Sequence, residues 1–160
     1  MRIRKRNRML GYDYAQDNLY FVTICVKDMV CSFWDIENQK MILNSFGEIV
    51  KKQWFWLAEQ YAYIELHAFV VMPNHIHGII EIKRKNATSQ NQKIKSLSQL
   101  MGAFKTTSSK QIHLLGNLNF AWHRSFHDHI IRNDEAYEKI SNYIDNNPMK
   151  WREDKFSVIS

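Results

Sequence analysis

Two runs rich in β-branched and aromatic residues, Tyr63–Met72 and His75–Ile82, follow one another with only Pro73-Asn74 between them. Pro and Asn are turn residues, Pro by fixing φ and Asn by bonding its own backbone, so both runs read as strands. A third run of this kind, Leu19–Lys27, reads as a buried strand. Between it and the pair, residues 28–43 look irregular or form a short hairpin. Asn44 or Ser45 can then cap a helix reaching about Tyr61, because Phe46, Ile49, Val50, Trp54, Leu57 and Ala58 follow helical spacing. Residues 83–95 are polar and basic without periodicity and read as a mobile loop. Ser96 caps a second helix with Leu97, Leu100, Met101 and Phe104 on one face, and residues 119–131 read as a fourth strand. Asn133 or Asp134 opens a last helix that stops near Asn147, since Pro148 follows.

The order is β-α-β-β-α-β-α. Its simplest packing is an α+β fold, a four-stranded antiparallel sheet with helices on one face. That is the ferredoxin-like, RRM-like layout with an extra C-terminal helix. The first and third strands are then central, and the third carries His75, His77, Ile79 and Glu81 on one face. At 160 residues, one domain of 12–160 behind a basic arm of 1–11 suffices. Hydrophobic residues at 45% and aromatics at 13% fill a core and exclude a disordered or fibrous chain.

The net charge of +6 is unevenly placed. Residues 1–10 hold five basic residues and residues 83–127 eight, with no acid in either segment, against 9 basic and 16 acidic residues elsewhere. Two cationic segments on an otherwise acidic chain point to an anionic partner. Cys25 and Cys31 lack CxxC spacing and read as small hydrophobes in a reducing compartment. MRIRKRNRML is no signal peptide, and no stretch has the roughly 18 apolar residues of a membrane span. A cytoplasmic protein with no membrane partner is expected.

The sharpest chemical feature is His75-Ile76-His77. Alternation along a strand sends both imidazoles out of one face, where they can share a metal ion. H-x-H alone is weak evidence, and His127-Asp128-His129 is a second instance. On the last helix Ala136, Ile140, Tyr143 and Asn147 share a stripe, so a Tyr hydroxyl lies one turn from a carboxamide. A half-buried Tyr with a satisfied hydroxyl explains that spacing equally well. Together the residues make chemical sense. Two His and an Asn oxygen can hold a divalent ion that polarises a phosphate, and a tyrosine needs such a charge or a base to become a nucleophile. Mixed N/O ligation suits Mg²⁺ or Mn²⁺ better than structural zinc. Tyr137 is a rival nucleophile, but six residues turn it roughly 120° off the Tyr143 face, and it reads as packing.

Val70-Val-Met-Pro-Asn-His-Ile-His-Gly-Ile-Ile80 resembles the His-hydrophobic-His (HUH) segment of the single-tyrosine, IS200-like transposases. Phe120–Arg132 and Tyr143-Ile-Asp-Asn-Asn-Pro-Met-Lys-Trp151 resemble the family's later blocks, and the resemblance spans about residues 10–155. The branch it resembles most is the REP-associated tyrosine transposases, chromosomal relatives acting on palindromic repeats.

The resemblance implies a metal-dependent enzyme that binds single-stranded DNA beside a hairpin and cleaves and rejoins it. Tyr143 would attack a phosphate, forming a 5′-phosphotyrosine link and leaving a free 3′-OH. His75 and His77 would bind the metal and Asn147 would complete the site, where some relatives carry Gln. The Asn, just before Pro148, must reach from a helix end. Family members act as monomers or as homodimers that exchange the tyrosine helix, and both arrangements stay open. Nucleoid association in a prokaryote follows from such a role. The basic residues then gain a use: Arg2, Arg4, Lys5, Arg6 and Arg8 along a hairpin stem, and Lys83, Arg84, Lys85, Lys93, Lys95, Lys105 and Lys110 on the backbone. Among Trp34, Trp54, Trp56, Trp122 and Trp151, Trp54 suits the core and any of the others can stack unpaired bases. His127 and His129 read as edge or supporting residues, with Arg132 on phosphate or on acids of the last helix. Two rivals are a non-catalytic single-stranded DNA or RNA-binding module that reads bases on an open sheet face, and a metal-dependent hydrolase without a covalent step.

Overall fold

A computed structural model describes residues 18–87 and 93–148. The basic arm, part of the 83–95 loop and the C-terminal segment with Trp151 lie outside the described residues. The elements are β1 (Asn18–Cys25), β2 (Trp34–Glu37), β3 (Lys40–Leu43), α1 (Ser45–Gln60), β4 (Ile64–Val71), β5 (His75–Ile82), α2 (Leu97–Leu114), β6 (His127–Ile131) and α3 (Asp134–Asn146). Strands β4-β5-β1-β6 form one antiparallel sheet, and β5 and β1 are its central strands, as the element order implies.

The helix starts follow from the caps. Asn44 accepts from Gly47 N at the start of α1, and Asn133 from Ala136 N at the start of α3. Ser96 and Gln99 satisfy each other's backbone donors in a capping box on α2.

Helices α1 and α2 cover one face. Trp54 of α1 is fully buried, stacks on Phe69 of β4 at 4.9 Å and meets Phe104 of α2 edge-on at 5.5 Å. A Cβ on Gly78 would lie 2.5 Å from the Trp54 ring, so the glycine after the His pair is what lets that indole reach the sheet. Helix α3 covers the opposite face, where Ile144 packs with Ile79 and Ile131. Over β4 and β5 this face is therefore no open platform of the RRM kind, though His127 and His129 of β6 stay exposed on it. With both faces covered, every residue of β5 except Glu81 is buried.

Residues 28–43, read as irregular or a short hairpin, contain the hairpin β2–β3, whose turn residues Asn38 and Gln39 both have positive φ (50° and 66°). Positive φ at both central residues matches the strand twist of a two-residue hairpin. Of residues 119–131 only His127–Ile131 form a strand. Before it, Phe120, Trp122 and Phe126 are buried and hold the chain across the end of the sheet through one bridge, Val26 with Trp122. Their alternation reflects aromatic anchoring of a loop. The cysteines form no disulfide; Cys25 is half-buried, but Cys31 is exposed and is no core residue.

Strand β4 carries a bulge. Its register moves from Leu66↔Ile80 to Phe69↔Gly78, so His67 and Ala68 both stand against Ile79. The extra residue keeps Leu66 and Phe69 on the α1 side and turns His67 and Ala68 toward α3.

Candidate active site

Strand alternation sends His75 and His77 toward α3. They are 0% and 2% exposed, with ring centroids 4.7 Å apart. Each ring is fixed through Nδ1. Asn74 donates through Nδ2 to the Met29 carbonyl (3.2 Å), which aims its Oδ1 at His75 Nδ1 (2.7 Å). In that contact His75 Nδ1 donates and the amide oxygen accepts. His77 Nδ1 lies 2.8 Å from Thr23 Oγ1, its register partner on β1. His77 Nε2 is buried without a hydrogen-bond partner among the described residues. Burial, reinforced by the neighbouring His75, pushes the His77 pKa down from 6.5 to about 3, so the ring is neutral at ordinary pH.

Tyr143 stands over this pair. Its ring is 5.3 Å from that of His77 and 6.3 Å from that of Phe21, and 47% of the residue remains exposed. Its hydroxyl bonds none of the described residues, so no partner holds it away from a ligand. Asn147, one turn further, is 3% exposed, and its Nδ2 has no hydrogen-bond partner among the described residues. Pro148, directly after Asn147, shares a cavity wall with Met72 and Pro73, directly before Asn74-His75. The end of α3 and the start of β5 therefore meet.

A divalent ion fits these residues. Buried imidazoles oriented through Nδ1 have the form of metal-ligating histidines with supporting partners, and unsatisfied buried polar atoms call for a partner. A second group, Glu65, His67 and Glu81, brings its ligand atoms within 4.8 Å of one another. Sequence reasoning missed it because the bulge that assembles it leaves no Gly or Pro signal. Here the groups satisfy each other. His67 bonds Tyr137 Oη through Nδ1 (2.8 Å) and Glu81 through Nε2 (3.0 Å), while the Lys83 ammonium pairs with Glu65 and lies 4.0 Å from Glu81. The ion pair holds the Glu65 carboxyl below its ordinary range and raises Lys83. The lysine already supplies the cation. Tyr137 packs beside Ile140, as expected, and is also a hydrogen-bond partner.

The described basic residues singled out in the sequence lie on two other parts of the fold. Lys83, Arg84 and Lys85 follow the far end of β5, about 20 Å along the strand from His77. Lys105 donates to the carbonyls of His123 and Arg124 (2.7 and 3.1 Å) and, with Lys110, lines a groove of about 580 Å³ on α2, across the sheet from α3. His127 and His129 are exposed on edge strand β6, opposite Thr23 and Phe21. Trp122 is buried and bonded to Ser108, which removes it as a stacking platform.

Comparison with known proteins agrees with this geometry. Residues 34–147 match the family described as IS200-like transposases, and the chain belongs to that family. An uncharacterized protein of Haemophilus influenzae is 33% identical over 168 residues, covering 97% of this chain and 93% of that one. The fold is similar to that of a REP-associated tyrosine transposase solved bound to a REP hairpin, with a TM-score of 0.61 at 21% identity over 94% of this chain and 74% of the other. It is also similar to a candidate transposase of Deinococcus radiodurans R1, with a TM-score of 0.50 at 16% identity over 87% and 95%. No helix of the described residues is long and apolar enough to cross a membrane.

Proposed function

We propose that this protein is a metal-dependent transposase that cleaves and rejoins single-stranded DNA beside REP-like hairpins through a 5′-phosphotyrosine link at Tyr143. The observation that carries this reading is the half-exposed Tyr143 ring 5.3 Å from the buried, neutral His77, whose Nε2 has no hydrogen-bond partner among the described residues. Family membership supports the transposase activity, and the hairpin-bound relative supports the DNA class.

His75 and His77 would hold Mg²⁺ or Mn²⁺ through Nε2, with the Asn147 carboxamide as the third protein ligand. When bound, the ion neutralises phosphate charge and polarises the phosphorus. The chain does the rest. Asn74 and Thr23 keep both imidazoles pointed at the phosphate, and α3 holds the phenol over the same spot. The Tyr143 oxygen attacks phosphorus, and its proton leaves to the solvent on its exposed side. The bond from phosphorus to the 3′ oxygen breaks, and that oxygen takes a proton to become the free 3′-OH. Attack by a 3′-OH on the phosphotyrosine reverses the step and releases the tyrosine, so rejoining needs no added energy source. The basic arm, Arg2, Arg4, Lys5, Arg6 and Arg8, would supply affinity along the stem, with Lys83, Arg84, Lys85, Lys105 and Lys110 on more distant backbone.

Metal binding can be tested apart from activity. Millimolar Mn²⁺ should raise the melting temperature of the wild-type chain and have no effect on His75→Ala or His77→Ala. An equal rise in both variants would remove the His pair from the metal site.

A further inference from the structure

A cavity of about 190 Å³ opens beside this site, lined by Trp34, Met41, Met72, Pro73 and Pro148. Its walls come from three distant parts of the chain, and two of them carry the proposed ligands: Pro73 precedes His75 by two residues and Pro148 follows Asn147. The third wall is the hairpin β2–β3. The Trp34 indole is held in place, because its Nε1 donates to the Val71 carbonyl at 2.8 Å. Opposed residues of an antiparallel pair share a face, as do residues two apart. The register Trp34↔Leu43 and Ile36↔Met41 therefore continues the Trp34 face outward through Met41 and Ile36, which are 39% and 74% exposed. The result is an apolar shelf running from solvent into the cavity.

None of the five lining residues carries a charge, so the cavity suits no phosphate. An indole, two thioethers and two proline rings suit a flat, unpaired heterocycle, and single-stranded DNA offers such a group at every step. We infer that the cavity takes one unpaired nucleobase of the strand whose phosphate lies at Tyr143, stacked against Trp34. This rests on the proposed function and adds to it a reader of one base next to the cleavage point, which phosphate contacts cannot provide.

A set of hairpin oligonucleotides tests it, each carrying 2-aminopurine or an abasic site at a different unpaired position. They are bound to the full chain in a Tyr143→Phe background that leaves the DNA intact, and adduct formation by the wild type is followed in parallel. Expected is one position whose 2-aminopurine is quenched on binding and whose abasic form binds about tenfold more weakly, the size of a lost stacking contact. Trp34→Leu should abolish the quench and bind intact and abasic DNA alike. Met41→Ser, at an exposed edge of the cavity, should reduce the same effect at the same position, which covers the case in which Trp34→Leu fails to fold. The inference is overturned if adducts form but no position is quenched, or if the abasic penalty persists undiminished in both variants. It is also overturned if Trp34→Leu binds every oligonucleotide more tightly, which would mark the chain's own residues 149–160 as the occupant. Absence of both adduct and DNA binding would overturn the proposed function with it.

Discussion

Helix α3 makes two tyrosine–histidine contacts with the sheet, and they have opposite characters. At one, the Tyr137 hydroxyl bonds His67, His67 bonds Glu81, and Lys83 balances Glu81 and Glu65. Each of these groups has a partner, and the arrangement clasps the helix to β4 and β5. Six residues on, Tyr143 meets His77 through ring contact, the residue stays half-exposed, and His77 Nε2 has no hydrogen-bond partner among the described residues. A satisfied network rigidifies, and an unsatisfied buried group marks a site that expects something else. We therefore propose that chemistry belongs to the second pair and positioning to the first.

The largest effects should separate the pairs. Tyr143→Phe should reduce covalent attachment to labelled hairpin DNA to background, and so should His77→Ala. Tyr137→Phe should retain the adduct, and by removing one hydrogen bond should cost roughly 1 kcal/mol of stability, read as a lower melting temperature. If Tyr137→Phe abolishes the adduct while its melting temperature is unchanged, the division between clasp and reactive pair is wrong.

Charge gives the next effect. Replacing Arg2, Arg4, Lys5, Arg6 and Arg8 by Gln should weaken hairpin binding and reduce the slope of log affinity against log salt by up to about 4. Adduct formation at saturating DNA should be unchanged. An unaltered slope would remove the arm from the interface.

A further effect is on acid stability. The folded chain keeps His77 unprotonated to about pH 3, whereas the unfolded chain takes up that proton near 6.5. Stability of the metal-free protein therefore falls as pH drops through that window. His77→Gln should show a shallower decline between those limits in urea unfolding, while His67→Gln should leave this contribution in place.

The asymmetry also explains what was legible in the sequence. The His75/His77 pair, the caps at Asn44, Ser96 and Asn133, and the strand and helix order rest on local patterns, and local patterns survive folding. Helical geometry put Tyr137 and Tyr143 on different sides of the α3 stripe, correctly. It could not show that the Tyr137 side meets His67, because His67 faces α3 only through a bulge set by packing on both sides of β4. Nor could it place Trp34 beside Pro73 and Pro148, since three segments distant in sequence make that cavity. The alternating aromatics of 120–126 mimicked a strand because anchoring a loop in the core and pleating a strand produce the same local spacing.

The central claim is that Tyr143, and not its better-bonded neighbour on α3, becomes joined to DNA. The direct measurement is a denaturing gel of labelled hairpin DNA with a single-stranded flank, incubated with Mg²⁺ or Mn²⁺ and each protein. A band that survives denaturation in the wild type and in Tyr137→Phe, and is missing in Tyr143→Phe, is the predicted result. The same band persisting in Tyr143→Phe would contradict the account.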